Sequence, residues 1–478
     1  MTPRRLEAVL GRSFAAPRSR LVMKMILLAG AWAVLLGYVL SSGFSGYLQK
    51  LVVIQVEPHN LSAQDDRSDA LYARTHSATT GDGLTDTGQE RPTPFFDANF
   101  QPINGLDAWV YSAHFDYVYE EGPLIRIFGL AKATRERRRI YCHVTDSGKV
   151  TVIQGRKEWL KDSHGKMYGA VNFKCVIDIK TKPSLVSVTF NATHPPTNQL
   201  LIHYPQRAER NFSVCFPALH NFTQAKRLVE TIDISRALGA DHFFVYNHSV
   251  SNATDAVLRR YQKLGLLTVM PWPLPNLDVW YYGQNLAIND CVYRNRFVSR
   301  FVVIQDTDEL IVPHRHETWM ELVYAAENEF LIKSLGEPYK KFVGSFTFES
   351  AFYYGAPPGG RAWALIKKNV SMTRAEEAFI VNNSVVPFVH TQRGNIIRFR
   401  SRVKTIVRPE FINNAGIHFT HAHKGSATHT VVDNDLGLVH HYKARPNTTV
   451  TDSSALRFLR AAMPLLLSSY KELEDVIK

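Results

Sequence analysis

The sequence predicts an α/β domain with a mainly parallel sheet, preceded by a small β-rich domain and by an N-terminal transmembrane helix. Strand-like and helix-like segments alternate after Cys215, which is the pattern of a parallel sheet covered by helices. Short β-type runs separated by turn residues fill residues 95–205, and a long apolar run lies near the N-terminus. With 45% hydrophobic residues among 478, the chain is not a wholly disordered one.

The apolar run predicts a single-pass membrane anchor over residues 25–44. No charged residue occurs between Lys24 and Lys50, and about 20 apolar helical residues span a hydrocarbon core of about 30 Å. Residues 1–24 carry six Lys and Arg against one Glu, which predicts a cytoplasmic tail and a lumenal body. The alternative is a cleaved signal peptide.

Glycosylation sequons and cysteines agree with a lumenal body. Predicted N-glycosylation sites begin at Asn60, Asn191, Asn211, Asn221, Asn252, Asn369, Asn382 and Asn447, and a ninth sequon begins at Asn247. The four cysteines predict one or two disulfides in an oxidising compartment, with three full connectivities open. Since no Cys-x-x-Cys pair occurs, a structural zinc site is not expected.

The region before the α/β domain divides into a stem and a β-rich unit. Residues 45–94 are rich in Ser, Thr, Asp, Gln and Gly, which predicts a flexible stem. Residues 95–205 predict a small sandwich with a basic patch over residues 132–139. The predicted strands of this unit are 108–119, 124–130, 139–144, 149–153, 171–179 and 185–190.

The α/β domain is predicted over residues 206–450, followed by a C-terminal helix over 451–478 that Pro464 interrupts. Thr254 or Asp255 is expected to cap the second helix, which ends before Gly265. The predicted order is helix 222–238, strand 241–246, helix to 264, strand 266–270, helix 284–296 and strand 301–305.

An acidic motif directly follows the last of these strands. Residues 305–310 (QDTDEL) place three carboxylates within four positions at the carboxyl end of a buried strand, where ligands bind in α/β sheets. Such carboxylates repel one another unless a cation neutralises them, and Mn²⁺ or Mg²⁺ held together with diphosphate oxygens fits this chemistry. An Asp-x-Asp pattern without such a context would indicate only a solvated acidic turn.

Four motifs together resemble glycosyltransferase family 92. They are 241–247 (DHFFVYN), Gln284 with 289–291 (NDC), 305–313 (QDTDELIVP) and 404–410 (KTIVRPE). The resemblance covers roughly residues 210–445. It implies a GT-A-type, Rossmann-like domain and a metal-dependent inverting transferase of the Golgi that uses a UDP-sugar, UDP-galactose foremost.

The resemblance places the metal on Asp306 and Asp308. A metal ion bridging the two phosphates would offset the charge that develops on departing UDP. A late histidine often completes the coordination in GT-A enzymes, and His418 matches that place best, with His441 as the alternative.

Basic residues near the motif are candidates for the diphosphate. Residues 393–408 contain six basic residues and no acidic one, and alternation in 400–404 (RSRVK) places three cations on one strand face. The nucleotide-sugar-binding residues predicted from this segment and from the motifs are Tyr246, Asn247, Gln284, Arg402, Lys404, Arg408, His441 and Lys443.

An inverting transfer needs a general base that takes the proton of the acceptor hydroxyl. Glu349 is the predicted base because it ends a strand-like segment after the metal motif. Glu376, Glu377 and Glu410 are the alternatives.

The leading hypothesis is a Golgi type II membrane protein that moves galactose from UDP-galactose to a hydroxyl of a glycan on glycoproteins or glycolipids; a homodimer is compatible with this. The alternatives are the same fold transferring another UDP-sugar, and a catalytically inactive, membrane-anchored carbohydrate-binding protein. Because Asp306, Asp308 and a late histidine are all present, the enzyme is favoured. The net charge of +13 would also suit a nucleic-acid binder, but the anchor, the sequons and the acidic motif disfavour one.

Overall fold

The computed structural model describes residues 99–478, except 119–120, 134–137, 179, 206–209, 336–340, 356–363, 365–366, 368–369, 400, 444–449 and 478. The predicted tail, anchor and stem lie outside the described residues, as do the sequons at Asn60, Asn369 and Asn447. Within the described part, no helix is long and apolar enough to cross a bilayer. The remaining predicted glycosylation sites are exposed: Asn191, Asn211, Asn221, Asn252 and Asn382.

The first part of the described chain is a closed β-sheet. Its strands are β1 (Gln101–Pro102), β2 (Ala108–Val118), β3 (Gly122–Lys132), β4 (Ile140–Asp146), β5 (Lys149–Trp159), β6 (Tyr168–Val176), β7 (Leu185–Thr189) and β8 (Leu200–His203). They pair in the order β1-β2-β3-β6-β5-β4-β7-β8, and β8 pairs with β2 as well. The predicted sandwich is therefore wrong, because this last pairing closes the sheet into a small barrel.

Strand β5 joins the two sides of the barrel, and a disulfide crosses it. The first half of β5 pairs with β4 and its second half with β6. Cys142 of β4 and Cys175 of β6 form a disulfide across β5. A Cβ atom on Gly155 of β5 would lie 2.9 Å from the Cys142 sulfur, so the strand can pass the disulfide only because this residue is a glycine.

The second part is an α/β unit in which strands and helices alternate up to the acidic motif. Its elements are β9 (Arg210–Leu219), α1 (Ala225–Ala237), β10 (His242–Asn247), α2 (Asn252–Lys263), β11 (Leu267–Pro271), α3 (Gln284–Arg294) and β12 (Ser299–Ile304). The predicted cap of α2 is wrong, since the helix begins earlier and the Ser251 side chain accepts from the Thr254 amide.

Shorter elements follow the acidic motif. They are β13 (Glu309–Pro313), α4 (Trp319–Lys333), β14 (Phe342–Phe348), β15 (Ser350–Tyr354), α5 (Arg374–Asn382), α6 (Val386–Val389), β16 (Gln392–Arg393), β17 (Lys404–Val407), β18 (Ile412–Asn414), β19 (Ala422–His423), β20 (Ala427–Val431), β21 (Gly437–His441), β22 (Val450–Thr451), α7 (Leu459–Glu472) and α8 (Glu474–Ile477).

Two sheets meet at the acidic motif. The main sheet has the order β11-β10-β9-β12-β17-β14-β20, and the second has the order β13-β21-β15-β16-β22. Strands β9 to β12 are parallel in the main sheet, as predicted, whereas β17 runs antiparallel between β12 and β14. The chain leaves the main sheet at the end of β12 and enters the second sheet at β13, so the motif lies between them.

Helix α3 holds the barrel against the main sheet through the buried carboxylate of Asp290. Its Oδ1 lies 3.1 Å from Nε2 of His114 on β2, and its Oδ2 accepts from the Tyr246 hydroxyl of β10 at 2.7 Å. Arg294 donates to the same oxygen at 2.7 Å. Burial alone would raise the pKa of Asp290, but Arg294 and His114 outweigh it and hold the pKa well below its usual range.

The C-terminal helix α7 packs on α1. Ser469 donates to the Asp233 carboxylate at 2.5 Å, and the Tyr470 hydroxyl donates to Glu230 at 2.8 Å. The predicted interruption at Pro464 is wrong, because α7 runs through this residue. A proline removes one hydrogen bond to the carbonyl four residues earlier, and that residue, Arg460, is exposed.

We predict that Gly155→Ala lowers the free energy of unfolding by about 1–3 kcal/mol, because the added methyl group overlaps the Cys142–Cys175 disulfide. Chemical denaturation without reductant measures this effect. The control is Gln154→Ala, an exposed position of the same strand, for which we expect a change within about 0.5 kcal/mol. Equal stability of the two variants would contradict the assigned role of Gly155.

Candidate active site

The acidic motif lies in a tight turn between the main sheet and the second sheet. The Glu309 amide donates to the Asp306 carbonyl at 3.2 Å, and the Asp306 amide donates to Oε2 of Glu309 at 3.0 Å. Asp306 and Asp308 are half-buried, whereas Glu309 is buried. The turn therefore gathers three carboxylates at the carboxyl end of β12.

Lys404 forms ion pairs with two of these carboxylates. Because β17 runs antiparallel to β12, its first residue lies beside the end of β12. The Lys404 ammonium is 3.0 Å from Oδ2 of Asp306 and 3.1 Å from Oε2 of Glu309. Burial alone would lower the pKa of Lys404, but the two carboxylates outweigh it and raise the pKa. Burial raises the pKa of Glu309 to about 7.

His441 reaches Asp308 from the second sheet. Strand β21 pairs with β13, and Glu309 is opposite His441. The His441 Nε2 atom is 3.5 Å from Oδ2 of Asp308, and Nδ1 is 3.3 Å from Oε1 of Glu309. Burial alone would raise the pKa of Asp308, but His441, Lys443 and Arg227 outweigh it and lower the pKa.

The Asp308–His441 pair fits a divalent metal ion. His441 is buried, and neither ring nitrogen has a hydrogen-bond partner of suitable geometry within the described structure. A buried imidazole nitrogen without such a partner, beside a carboxylate, has the chemistry of a metal ligand. His418 is placed differently: its Nδ1 is 3.4 Å from the Val403 carbonyl, on the Lys404 side of the motif. His441 is therefore the better fit of the two histidines.

Gln284 also contacts the acidic motif. It is the first residue of α3, after Gly283, whose φ of 76° is in the left-handed region. Its side-chain amide donates to Oδ1 of Asp306 at 3.2 Å. Together, Gln284 and Lys404 hold both oxygens of Asp306, which leaves Asp308 and His441 as the pair more open to a metal ion.

Two other predicted cations lie at the rim of the site. The prediction that residues 400–404 form a strand with three cations on one face is wrong. Strand β17 begins only at Lys404, and Arg402 has a left-handed φ of 54°. Arg402 is exposed and its guanidinium is 5.4 Å from the centre of the Phe352 ring. Phe352 in turn packs on His441, with ring centres 4.9 Å apart. Lys443 is exposed, two residues after His441.

Arg408 and Tyr246 are not brought to the acidic motif. Arg408 is at the far end of β17 and binds both oxygens of Glu327 on α4, at 2.9 and 2.8 Å. Tyr246 is fully buried, and its hydroxyl is bound to Asp290. The predicted nucleotide-sugar contacts of these two residues are therefore not supported, because both side chains are engaged in packing the fold.

Glu349 is not placed as a free base. It is buried, and its oxygens accept from the Phe399 amide and from the Asn434 side chain, both at 2.8 Å. The three alternative glutamates are not placed as free bases either. Glu376 caps α5, Glu377 is paired with Lys367 at 2.9 Å, and Glu410 is half-buried, with its pKa raised because its carboxyl group is removed from water.

The carboxyl ends of β9 and β10 carry a cluster of aromatic side chains, and the sequence did not indicate its two histidines. Asn247 ends β10, and its buried Oδ1 has no partner in the described part of the chain. Next to this position, Nδ1 of His220 is 3.1 Å from Nδ1 of His248. The Tyr282 ring stacks on His220 with ring centres 3.7 Å apart. This edge of the sheet thus has stacked aromatic rings next to a buried amide oxygen that lacks a hydrogen-bond partner among the described residues.

Comparison with known proteins identifies the family. Residues 210–463, more than half of the chain, match the model of glycosyltransferase family 92. The chain belongs to glycosyltransferase family 92. The match begins at β9 and ends within α7, so it includes both sheets that form the site.

Curated relatives of this family-92 chain come from Caenorhabditis elegans. Beta-1,4-galactosyltransferase galt-1 is 30% identical over 114 residues, which is 23% of this chain and 27% of that protein. Glycosyltransferase family 92 protein F13G3.3 is 26% identical over 165 residues, 32% of this chain and 31% of that protein. The matches thus span about a third or less of these relatives.

Solved structures resemble the chain more distantly. Mycobacterium tuberculosis glucosyl-3-phosphoglycerate synthase, in complex with Mn²⁺, UDP and glucosyl-3-phosphoglycerate, is 16% identical over 54% of this chain and 80% of that one, with a TM-score of 0.23. Staphylococcus aureus TarS 1–349, in complex with UDP, is 9% identical over 56% of this chain and 69% of that one, with a TM-score of 0.24.

In this family-92 chain the barrel also contributes to the site. The loop 160–167, between β5 and β6, reaches α3: Asn285, next to Gln284, donates to the Lys161 carbonyl. Asp162 in the same loop accepts from Nε2 of His421 at 2.6 Å and from the Ile417 amide at 3.4 Å. No sequence signal pointed to Asp162, because its partners are more than 250 residues away along the chain.

We predict that Lys404→Met lowers the free energy of unfolding by about 3–5 kcal/mol, because it leaves Asp306 and Glu309 without their buried counter-ion. Chemical denaturation in the absence of divalent ions measures this. The control is Lys333→Met, an exposed pair with Glu329 at 3.2 Å, with an expected loss of at most about 1 kcal/mol. Similar losses for both variants would argue against the role of Lys404.

Proposed function

We propose that this chain is a metal-dependent, inverting glycosyltransferase of the GT-A type that moves galactose from UDP-galactose to a hydroxyl of a glycan acceptor. The observation that carries the proposal is the Asp308–His441 pair at the carboxyl end of β12, beside the Lys404 ion pairs. This arrangement combines carboxylates, an imidazole and cations in one place, which suits a diphosphate bound with a divalent ion.

Asp308 and His441 would hold the metal ion, Mn²⁺ or Mg²⁺, with Asp306 beside it. The ion, when bound, would stabilise the negative charge that grows on the leaving diphosphate. The protein contributes the placement: Gln284 and Lys404 fix the Asp306 carboxylate, and β21 fixes His441 against Asp308. The exposed cations Arg402 and Lys443 at the rim would retain the leaving UDP.

The nucleotide would lie along the carboxyl ends of β9 and β10. The stacked rings of His220 and Tyr282 offer a face for a planar base, and the unpartnered Oδ1 of Asn247 offers an acceptor for its N–H groups. We therefore retain the predicted role of Asn247 in binding the nucleotide sugar, and we add His220 and Tyr282 to it.

Asp162 is the proposed general base in place of Glu349. Its Oδ2 binds His421 and the Ile417 amide, next to His418, while its Oδ1 makes no hydrogen bond among the described contacts. Oδ1 can therefore take the proton from the acceptor hydroxyl as that oxygen attacks the sugar carbon. Since Asp162 is on the barrel loop, the acceptor would enter between the barrel and the α/β unit.

The proposal that galactose is the transferred sugar rests on the similarity to galt-1, which is named a beta-1,4-galactosyltransferase. Transfer of N-acetylglucosamine or glucose by the same site is the alternative. A binding protein without activity is less well supported, because such a protein would not need Lys404 buried between two carboxylates, next to a buried histidine that makes no hydrogen bond of suitable geometry.

We also propose a Golgi membrane protein of type II orientation with the barrel and the α/β unit in the lumen. The apolar run over residues 25–44 and its basic flank support this topology. The disulfides Cys142–Cys175 and Cys215–Cys291 and the exposed sequons are typical of a chain that folds in an oxidising, glycosylating compartment.

A donor and metal assay tests the proposal. With Mn²⁺ and a glycan library, we expect the full-length chain to release UDP faster from UDP-galactose than from UDP-glucose or UDP-N-acetylglucosamine, and EDTA to abolish this activity. Asp308→Asn and His441→Ala should lower kcat by about 100-fold or more, and His418→Ala by less than about tenfold. Full activity without metal, or in Asp308→Asn, would refute the metal site.

A second assay tests the base. We expect Asp162→Asn to lower kcat by about 10²- to 10³-fold with little change in the KM for the donor, because only proton removal is affected. Glu349→Gln, checked for folding by its melting temperature, should keep most of the activity. The opposite ranking of two folded variants would assign the base to Glu349 instead.

A further inference from the structure

The barrel contains a cavity that the proposed transfer site does not use. It has a volume of about 410 Å³, within the size range of small-ligand sites. It opens at the barrel end where β3 ends and β4 begins. Its lining includes Asp107, Lys132, Arg138, Lys157 and Phe173.

Among the described residues that line the cavity, basic side chains outnumber acidic ones. Asp107 is the acidic residue of its lining and is paired with Lys132 at 3.0 Å. Arg138 donates to the Gly105 carbonyl at 2.7 Å. Lys157 is half-buried, and no carboxylate of the described residues lies within ion-pair distance of its ammonium. Burial lowers the pKa of Lys157, and an anion bound beside its ammonium would oppose this effect by favouring the charged form.

Aromatic rings lie next to these cations. Trp159 is 40% exposed, and its ring centre is 4.9 Å from the Lys157 ammonium. The two residues share a face of β5, because they are two positions apart. The Arg138 guanidinium is 5.7 Å from the centre of the Phe190 ring. Sugar rings pack their apolar C–H faces on aromatic rings, so a cation beside an exposed tryptophan suits a sugar that carries a negative charge.

The cavity is at the same end of the barrel as the loop that holds Asp162. Lys157 is five residues from Asp162, a separation of at most about 18 Å along the chain. The Ala133 amide, next to Lys132, donates to the Met167 carbonyl at the end of that loop at 2.8 Å. A glycan of a few sugars could therefore occupy the cavity and reach Asp162 with another of its hydroxyls.

We propose that the cavity binds an acidic sugar, one carrying a carboxylate or a sulfate group, and that this sugar belongs to the acceptor glycan. Lys157 binds the anionic group, and Trp159 packs against the sugar ring. The link to the acceptor rests on the proposed transferase function, whereas binding of the acidic sugar does not.

Binding to the full-length chain, measured without donor or metal, tests the cavity. The probes are lactose, 3′-sialyllactose, 6-sulfolactose and inorganic sulfate; the two charged sugars distinguish carboxylate from sulfate. We expect one charged sugar to bind about tenfold or more tightly than lactose, and Lys157→Gln to remove most of that gain. The matched control is Lys149→Gln, at the exposed opposite end of β5, with an expected change below twofold.

Three results would overturn the site: equal binding of charged sugars and lactose, unchanged binding in Lys157→Gln, or inorganic sulfate binding as tightly as the charged sugars. A transfer assay then tests the acceptor role. Lys157→Gln should raise the KM for a charged acceptor about tenfold and leave the donor KM and kcat unchanged. If charged sugars bind through Lys157 but no UDP-sugar is turned over, the proposed transferase function is refuted, whereas the proposed sugar-binding site is supported.

Discussion

The buried Asp290 carboxylate fixes helix α3, and the rest of the structure is arranged around this helix. Asp290 connects β2 of the barrel and β10 of the main sheet, while Cys291 is joined to Cys215 of β9. At its first residue the same helix presents Gln284 to Asp306. The barrel, the parallel sheet and the candidate site are therefore tied to one element, and removing Arg294 would leave the buried Asp290 carboxylate without its arginine counter-ion.

The arrangement of the candidate site is governed by the negative charges of its three carboxylates. Three carboxylates in one turn repel one another, and each of two other elements brings a nitrogen-bearing side chain next to them. The antiparallel strand β17 brings Lys404 to Asp306 and Glu309, and β21 of the second sheet brings His441 to Asp308 and Glu309. Lys404 holds the turn on one side. On the other side is an imidazole that lies beside carboxylates but makes no hydrogen bond of suitable geometry, and a metal ion is most favourable there.

The motifs that identify the family contain residues with two different roles: some stabilise the fold, and others belong to the candidate site. Within 241–247, Tyr246 is bound to Asp290 in the core, while Asn247 faces the sheet edge with an unused oxygen. Within 404–410, Lys404 is in the site, but Arg408 is paired with Glu327 at the other end of the strand. The amino-acid sequence of a motif does not distinguish these two roles. Neighbouring side chains of a strand point in different directions and lie at different distances from the end of the strand.

The sequence by itself determined the alternation of strands and helices, the position of Asp306 and Asp308 at a strand end, and the family, because these depend on local periodicity and on short motifs. The tertiary structure alone decided that the barrel closes, that His441 rather than His418 is beside Asp308, and that Asp162 comes near the site. These features depend on contacts between residues far apart in the chain. Strand pairing and loop packing create such contacts, and no local pattern encodes them.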